Sequence, residues 1–411
     1  MLEIDQKQVV ETLNKDYKDK EFIDLMQKVT SEAIESNSIY KKIVNKQEFQ
    51  IDSLNNLNDL EKIPFITSAS FKEKENLYEK LLKIPLESVE YWNVSSATSG
   101  NPSLVAVDKK DIEFLFQMAK KCFIDSIPRD WDRASVHCFS PSHGMLDRFV
   151  MRYTKVRPAK SYSGNYYKVT KTMTNVNYLI GFSFPRALKA IITTRSLVGA
   201  FVVRFNSLIN TIDKNLKKPE EERIYHAIGG SNQLIKNFIG ILKQKNITYN
   251  LGKQFDVVIG GGGWDGHKAQ MKYDPIDKAE FVDSIVNQFG TEASQIVDIY
   301  GFTETPIIFG SHWSKKHEDF IMHVPPYAKI LLRDVDTLEP LTKEGDRGFF
   351  EVITPFGNSA SVNHAILIDD LVEITSKDKC PECGYEGTTF RVLGRIENKE
   401  GMGCSSIMTW L

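Results

Sequence analysis

The middle of this chain alternates between short apolar runs and helix-like segments, and this alternation limits the fold more than any other feature of the sequence. Residues 104–107 and 133–139 have the composition of strands, and residues 109–122 between them have helical periodicity. The pattern recurs later, where the apolar run 255–259 is followed by a helical segment at 278–289. Strands and helices that alternate at this pitch indicate an α/β domain.

The pattern differs at the two ends of the chain. Residues 5–48 have helical periodicity, whereas the sequence beyond residue 328 is strand-rich, with candidate strands at 328–332, 348–354 and 365–368. A chain of 411 residues, 41% of them hydrophobic, can bury a large core in more than one subdomain. We therefore expect a large α/β unit with a β-rich lobe from about residue 328.

Charge and cysteine usage exclude several classes of protein. The 52 Lys and Arg nearly balance the 54 Asp and Glu, so there is no electrostatic reason to expect nucleic-acid binding. The charged N-terminus does not resemble a secretory peptide, and the apolar stretch 196–203 is too short to span a membrane. The sparse cysteines are typical of cytosolic thiols, so we predict a cytoplasmic protein. They are Cys122, Cys138, Cys380, Cys383 and Cys404.

Residues 95–102 (Ser-Ser-Ala-Thr-Ser-Gly-Asn-Pro) form a hydroxyl-rich segment with little side-chain bulk. Hydroxyls and exposed backbone N–H groups can surround a triphosphate. The segment is not a Walker A loop, because no Gly-Lys-Ser/Thr follows at the required spacing. An ordinary surface turn is an equally good interpretation of this segment alone. The candidate phosphate-binding residues are Ser95, Ser96, Thr98, Ser99 and Gly100.

Four glycines, residues 260–263, follow the apolar run 255–259 directly and precede Trp264. Ligands of open α/β sheets bind outside the carboxyl ends of the strands, and this is such a position. Gly261, Gly262 and Gly263 are therefore candidates for the floor of a site for adenine or an acyl chain. The alternative is a flexible turn, although four glycines cost considerable chain entropy on folding.

Residues 298–304 (Asp-Ile-Tyr-Gly-Phe-Thr-Glu) also end a candidate strand. Tyr300 is suited to stack on a base, Thr303 to bond a phosphate and Glu304 to coordinate magnesium, which prefers oxygen ligands. A glycine turn with a surface glutamate is the alternative. Together with the hydroxyl-rich segment, this motif suggests ATP-dependent activation of a carboxylic acid.

The order of these motifs resembles the adenylate-forming superfamily of acyl-CoA synthetases, luciferases and peptide-synthetase adenylation domains. Residues 95–102 match its phosphate loop and residues 300–304 its Tyr-Gly-x-Thr-Glu motif. Residues 368–371 are similar to its Gly-Asp-Leu motif, and Gly394-Arg395 to its hinge motif. The resemblance implies that the nucleotide is bound by Asp298, Tyr300, Gly301, Asp370 (at the ribose) and Arg395.

Two branches of the superfamily compete. The glycine turn, Tyr-Gly-Phe-Thr-Glu and the ending at 403–405 look most like the acyl-protein synthetases of the fatty-acid reductase complex of bioluminescent bacteria. That resemblance implies transfer of the acyl group to the thiol of Cys404. The alternative is that Cys404 is a free thiol with no role in the reaction. The segment 380–384 is similar to the phenylacetate-CoA ligases. A non-catalytic nucleotide-binding homologue is a third possibility.

Several positions depart from the superfamily pattern. Ala97 and Asp369 stand where glycines are usual, and Ser103 stands where a lysine often follows the proline. A missing lysine is expected to weaken phosphate affinity. Sixteen residues follow Arg395, so the usual small C-terminal domain with its catalytic lysine is expected to be absent. A CoA ligase needs that domain, whereas a synthetase that uses its own tail cysteine does not, which favours the acyl-protein branch.

The sequence therefore predicts an ATP-dependent acid–thiol ligase that activates a carboxylic acid, with a fatty acid as the expected class, and transfers the acyl group to a protein cysteine. The predicted domains are residues 1–375, adenylate-forming, and a short C-terminal remnant, residues 376–411. ATP and Mg²⁺ are the expected cofactors, and an acyl reductase or another acceptor protein is a possible partner. Cys380 and Cys383 lack a second cysteine pair, and although a histidine such as His364 could join them, a metal-free knuckle is predicted. The predicted catalytic residues are Cys404, Glu304 and Thr303, and the predicted metal ligands are Glu304 and Thr98.

Overall fold

The computed structural model describes most of the chain between residues 6 and 395. The described residues are 6–72, 74, 76–95, 101–127, 131, 134–145, 160–171, 173, 175–194, 200–265, 267–268, 271–272 and 274–395. The helices are α1 (Gln6–Asn14), α2 (Asp19–Ser36), α3 (Ser38–Lys46), α4 (Lys109–Ser126), α5 (Gly164–Lys171), α6 (Phe184–Thr194), α7 (Phe205–Leu216), α8 (Asn232–Gln244) and α9 (Lys278–Phe289). Within these ranges, none of the helices has the length and apolar character to cross a bilayer.

Most strands belong to one of three sheets. The strands are β1 (Ile66–Thr67), β2 (Tyr91–Val94), β3 (Leu104–Val107), β4 (Ala134–Cys138), β5 (Lys160–Ser163), β6 (Val176–Tyr178), β7 (Ile180–Phe182), β8 (Phe201–Val203), β9 (Tyr225–Gly230), β10 (Phe255–Gly260), β11 (His267–Lys268), β12 (Met271–Lys272), β13 (Ile296–Gly301), β14 (Ile308–Phe309), β15 (Ser311–Ser314), β16 (Asp319–His323), β17 (Lys329–Arg333), β18 (Pro340–Leu341), β19 (Arg347–Ile353), β20 (Ala365–Ser376) and β21 (Thr389–Arg395). In addition, β7 pairs with β8 and β11 with β12 in two small hairpins.

The first sheet is mainly parallel and has the order β14-β13-β10-β9-β4-β6. The five strands from β13 to β6 run parallel, and the short edge strand β14 is antiparallel to β13. In β10, Phe255, Val257 and Ile259 are fully buried. Asp256 and Val258, on the opposite face, are buried as well, and burial on both faces explains why this segment is predominantly apolar. Because the strands are parallel, the turns after β4, β9, β10 and β13 all lie at one edge of the sheet.

The second sheet is largely antiparallel, with the order β15-β16-β21-β20-β19-β17-β18, and β1 adds to it parallel to β20. It therefore includes β15 and β16, which precede the strand-rich region predicted from residue 328. Strand β20 is also longer than the predicted strand at 365–368, because it continues through Asp369 and Asp370 to Ser376. Asp369 is exposed, and a strand tolerates a carboxylate on its solvent face.

The third sheet has the order β3-β2-β5, with β3 antiparallel and β5 parallel to β2. It lies next to the hydroxyl-rich segment, because β2 ends at Val94 and β3 begins at Leu104. One cluster of buried apolar side chains extends from Val9 in α1 to Phe390 in β21. This continuous core fixes the flanks of the hydroxyl-rich segment relative to both larger sheets. These observations confirm the predicted α/β fold with mixed sheets.

Candidate active site

The glycine turn follows β10 at the carboxyl edge of the parallel sheet. Strand β10 pairs with β13, with Gly260 opposite Ile299. Gly261, Gly262 and Gly263 have φ angles of 88°, 61° and 82°, a region that residues with a Cβ rarely adopt. A Cβ added to Gly262 would have no neighbour within 4 Å. The backbone conformation therefore accounts for glycine at this position, and the role of the turn as a ligand floor stays a prediction.

Trp264 links the glycine turn to the start of the Tyr-Gly-Phe-Thr-Glu motif. Its indole Nε1 donates to Oδ2 of Asp298 over 3.1 Å, and the backbone N–H of Asp298 donates to Oγ of Ser311 over 2.9 Å. Asp298 is buried in β13, so these contacts fix its carboxylate at the carboxyl edge. The turn after β10 and the end of β13 are thus joined by a side-chain hydrogen bond.

The carboxylate of Glu304 lies just beyond β13 and has two partners from distant segments. The hydroxyl of Ser103 donates to its Oε1, and Nζ of Lys72 lies 3.8 Å from the same oxygen. Glu304 is buried, whereas 35% of the Lys72 side chain is exposed to solvent. Both contacts go to Oε1. The site therefore combines an oriented carboxylate with an ammonium group that solvent can reach.

Two asparagines hold the backbone of the motif. Nδ2 of Asn93, in β2, donates to the carbonyl of Thr303 over 3.0 Å. Nδ2 of Asn363 donates to the carbonyl of Glu304 over 3.2 Å. All four residues are buried. The loop after β13 is therefore fastened to the third sheet on one side and to the segment before β20 on the other.

The two flanks of the hydroxyl-rich segment are hydrogen-bonded to each other. The backbone N–H of Ser95 donates to the carbonyl of Ser103 over 3.1 Å, and the backbone N–H of Ser103 donates to Oγ of Ser95 over 2.8 Å. Ser103 also forms an isolated antiparallel bridge with Lys72. Because Ser103 contacts Glu304 as well, the structure brings the flanks of this segment next to the motif about two hundred residues later.

Tyr300 and Asp370 meet across the two larger sheets. The Tyr300 hydroxyl donates to Oδ2 of Asp370 over 2.5 Å. The tyrosine ring packs against Phe302, with ring centroids 4.7 Å apart, and lies near Phe350 at 6.2 Å. In the strand register Asp370 is opposite Arg395, of which the structure describes the backbone. The residues expected around the base and the ribose therefore lie together.

The structure describes only part of the predicted site. Ser95, Asp298, Tyr300, Gly301, Thr303, Glu304 and Asp370 lie at or near the carboxyl edge of the parallel sheet, with Gly261, Gly262 and Gly263 in the turn beside it. The predicted residues Ser96, Thr98, Ser99, Gly100 and Cys404 lie outside the described residues. The roles assigned to all of these residues stay predictions.

Sequence reasoning missed Lys72. It noted that Ser103 replaces a lysine, and it expected weaker phosphate binding as a result. In the structure, Ser103 is fully buried and bonded to Glu304, while Lys72 places an ammonium group beside the same carboxylate. No sequence motif marks Lys72, because its position depends on a bridge between separate segments.

Comparison with known proteins identifies the family of this chain. The family model described as "Acyl-protein synthetase, LuxE" matches residues 181–410, more than half of the chain. A long-chain-fatty-acid–luciferin-component ligase from Aliivibrio fischeri is 22% identical over 356 residues, which cover 86% of this chain and 79% of the relative.

Solved structures show the same fold at lower identity. An open conformation of 2-hydroxyisobutyryl-CoA ligase, in complex with 2-HIB-AMP and CoA, has a TM-score of 0.61 at 13% identity, covering 92% of this chain and 75% of that one. The same ligase in its thioesterification state has a TM-score of 0.62 at 13% identity, covering 92% and 68%. These likenesses confirm the predicted fold, and the family match establishes that the chain belongs to the acyl-protein synthetase (LuxE) family.

Proposed function

We propose that the protein uses ATP to convert a carboxylic acid into an acyl-adenylate and then transfers the acyl group to its own cysteine thiol. The observation that carries this proposal is the contact between Ser103, which closes the hydroxyl-rich segment, and Glu304, which ends the motif after β13. This contact brings a candidate phosphate loop and a candidate magnesium ligand to one place. Family membership supports an acid ligase, and the name of the Aliivibrio relative favours a long-chain fatty acid as substrate.

In the first step, a carboxylate oxygen of the acid attacks the α-phosphorus of ATP. The bond from that phosphorus to the oxygen bridging to the β-phosphate breaks, and pyrophosphate leaves. Negative charge accumulates on the phosphate oxygens during this displacement, so preorganised positive charge lowers the barrier. The ammonium group of Lys72 lies next to the Ser103 flank and is accessible, which suits it to contact these oxygens.

Glu304 is the residue best placed to hold magnesium with the nucleotide. Magnesium prefers carboxylate and phosphate oxygens, and both contacts that orient this carboxylate go to Oε1. Thr98 would add a hydroxyl from the hydroxyl-rich segment. The ion would neutralise phosphate charge, while Thr303 would bond a phosphate oxygen.

Asp370 and Tyr300 are suited to fix the nucleoside. The hydrogen bond from the Tyr300 hydroxyl orients the Asp370 carboxylate, which can then accept hydrogen bonds from the two ribose hydroxyls. The rings around Tyr300 restrict its own movement. Arg395, opposite Asp370 in the sheet, would complete this part of the site. A fixed nucleoside places the α-phosphorus for attack, which is a contribution of positioning.

In the second step, a thiolate sulfur attacks the carbonyl carbon of the acyl-adenylate. A thioester bond forms, the bond between that carbon and the phosphate oxygen breaks, and AMP leaves. We assign the thiol to Cys404, as the family resemblance implies. From this thioester the acyl group would pass to a reductase or to another acceptor protein.

Formation of a CoA thioester is the second candidate. It is favoured by the superposition of 92% of this chain on a CoA ligase. Both reactions share the acyl-adenylate, so they differ only in the thiol that accepts the acyl group.

The test is pyrophosphate release with ATP, Mg²⁺ and a panel of carboxylic acids of increasing chain length. Wild type, Cys404→Ala and Cys122→Ala are compared, each with a radiolabelled acid. Cys122 is a matched control because burial raises the pKa of its thiol to about 12, which makes it a poor nucleophile. We expect pyrophosphate release from all three proteins, and covalent acyl label on wild type and Cys122→Ala only.

Each alternative has its own result. Label that persists on Cys404→Ala would show that another thiol carries the acyl group. Product that requires CoA and is unaffected by Cys404→Ala would identify a CoA ligase. Absence of pyrophosphate release with every acid would overturn the proposal of acid activation.

A further inference from the structure

Two cysteines and two histidines meet at one end of the antiparallel sheet, and none of them belongs to the candidate active site. Cys380 and Cys383 lie in the turn between β20 and β21, His312 lies in β15 and His323 ends β16. Strands β15 and β16 form a hairpin, and β16 pairs with β21. This topology brings side chains from three separate segments to one point.

The atoms that could bind a metal are already close. Sγ of Cys380 lies 3.8 Å from Nε2 of His312, and Sγ of Cys383 lies 3.4 Å from Nε2 of His323. The two imidazoles meet at 2.9 Å, between Nδ1 of His312 and Nε2 of His323. Ligand atoms of His312, Cys380 and Cys383 lie within 4.8 Å of one another. A tetrahedral zinc ion, with bonds of about 2.0–2.3 Å, holds its ligand atoms roughly 3.3–3.8 Å apart.

The backbone of the cysteine turn has the shape that such a site needs. The N–H of Gly384 donates to the carbonyl of Cys380 over 3.0 Å, and the N–H of Cys380 donates to the carbonyl of Tyr385 over 2.8 Å. Gly384 has a φ of 75°, which favours glycine after the second cysteine. These bonds close a tight turn that presents both sulfurs to the histidines.

Surrounding side chains orient one of the histidines. The Tyr385 ring stacks on the His323 ring, with centroids 4.3 Å apart and planes 6° from parallel. The Tyr385 hydroxyl donates to the carbonyl of Val324 over 2.6 Å, which fixes the tyrosine itself. Partners that hold a ligand in place are typical of metal sites.

We propose that Cys380, Cys383, His312 and His323 bind one zinc ion. Two sulfurs and two imidazole nitrogens form a tetrahedral ligand set that leaves no open position, so the ion would be structural. Binding would displace the two thiol protons and leave both thiolates on the metal. This site differs from the metal-free knuckle predicted from the sequence. His364 was named there as a histidine that could join the two cysteines. His364 is buried elsewhere, with Nε2 3.1 Å from the Tyr40 hydroxyl.

The ion would add a further link between two hairpins that already meet through Tyr385 and His323. The register between β16 and β21 contains two residue pairs, Met322 with Phe390 and His323 with Thr389. A zinc ion would tie the β15–β16 hairpin to the turn that begins β21. Since β21 also carries Arg395 opposite Asp370, the cluster would steady the strand behind the nucleoside site.

The test is the zinc content of the full-length chain, purified without chelators from zinc-supplemented cells and measured by inductively coupled plasma mass spectrometry. We expect one equivalent of zinc in wild type and in the control Cys122→Ala. Cys383→Ser and His323→Ala should lose it. Cys383 is exposed, so its serine variant is expected to fold, which circular dichroism checks. Replacement of the zinc by Co²⁺ should give thiolate charge-transfer and tetrahedral d–d absorption bands in wild type and in Cys122→Ala. Cys383→Ser and His323→Ala should lack these bands.

Two results would overturn the proposal. The first is wild-type protein without zinc that also takes up no zinc or cobalt on titration. The second is one equivalent of zinc that remains in both Cys383→Ser and His323→Ala. A chelator added to wild type gives a test independent of any variant, because removal of a structural ion should lower the Tm.

Discussion

Two buried glutamates, each beside a cation, occupy very different surroundings in this protein. Glu351 in β19 is fully buried, and Nε of Arg333 donates to its Oε2 over 2.6 Å. The other guanidinium nitrogens donate to the carbonyls of Glu61, over 2.8 Å, and Leu338, over 3.3 Å. Burial raises the pKa of the Glu351 carboxyl, although the adjacent Arg333 acts in the opposite direction. Both side chains are buried, and Oε1 of Glu351 has no hydrogen-bond partner among the described residues.

Glu304 is held differently. Its cation, Lys72, stands 3.8 Å away, and 35% of the Lys72 side chain is exposed. The Glu304 carboxylate is oriented by a neutral hydroxyl, that of Ser103. A closed pair such as Arg333–Glu351, in which both side chains are buried, is out of reach of a ligand, whereas an accessible lysine beside an oriented carboxylate is not. Burial of a carboxylate therefore indicates function only where its cation remains available.

The largest expected effect lies in the closed pair. Arg333→Met leaves the buried Glu351 carboxylate without its cation, which should lower the free energy of unfolding by about 3–5 kcal/mol. Urea denaturation followed by circular dichroism measures this loss. Specific activity per folded molecule should be unchanged. The double variant Arg333→Met/Glu351→Leu should recover much of the stability, and a single variant as stable as wild type would erase the contrast between the two glutamates.

Glu304→Gln should lower activity and leave stability nearly unchanged, which is the opposite of Arg333→Met. The amide keeps the shape and can still accept a hydrogen bond from Ser103, but it removes the charge that would hold magnesium. We expect the rate of ATP–pyrophosphate exchange to fall by about 10²–10³-fold, the range found when one preorganised electrostatic group is removed. Thermal unfolding should change little. A large loss of stability with normal exchange would make Glu304 a structural residue like Glu351.

Lys72→Met should have a smaller effect on the same reaction. Loss of one accessible ammonium group next to the phosphates is expected to raise the KM for ATP by about tenfold, equivalent to ~1.4 kcal/mol. Lys72→Arg should retain most of the affinity. Lys62→Met is a matched control, because Lys62 pairs with Asp59 at 2.6 Å. Equal KM values for the Lys72 and Lys62 variants would contradict a role for Lys72 in ATP binding.

The last prediction concerns the response of the parallel sheet to acid. His137 in β4 and His226 in β9 are hydrogen-bonded at 3.0 Å inside the parallel sheet, and burial lowers the pKa of each imidazole to about 4. The unfolded chain protonates them near pH 6.5, so stability should be lost as the pH falls from 6.5 towards 4.

His226→Gln should reduce this dependence. Removing one such group should lower the slope of unfolding free energy against pH by up to about 1.4 kcal/mol per pH unit within that window. Chemical denaturation at several pH values, compared with wild type, measures it. An unchanged slope would mean that His226 is protonated in the folded protein.

Much of the fold could be predicted because local sequence determines it. Strand β10 is buried on both faces and is predominantly apolar, and helix α9 was predicted with its observed bounds, 278–289. The strand predicted at 365–368 was too short, because Asp369 and Asp370 interrupt the apolar pattern, whereas β20 passes an irregularity there and pairs with β19 again at Leu371.

The candidate site could be predicted only where its residues are adjacent in sequence. Residues 300–304 form a local motif, so Glu304 was a candidate from the start. The contact of Ser103 with Glu304 joins residues 201 positions apart, and Ser103 looked like a defect when considered alone. His312 likewise reaches Cys380 from 68 positions away. Such pairs arise from sheet topology, which no local pattern records.

The two hydrogen bonds between Ser95 and Ser103 matter for protein engineering. Both strands that flank the hydroxyl-rich segment are fastened to each other before the segment begins, over a separation of eight positions. When the ends of a loop are already held together, the entropic free-energy cost of closing it rises by only about 0.6 kcal/mol for each doubling of its length. We therefore expect that sequences inserted or grafted into this segment would leave the flanking strands paired, and that they would alter ATP binding if the segment holds the phosphates as proposed.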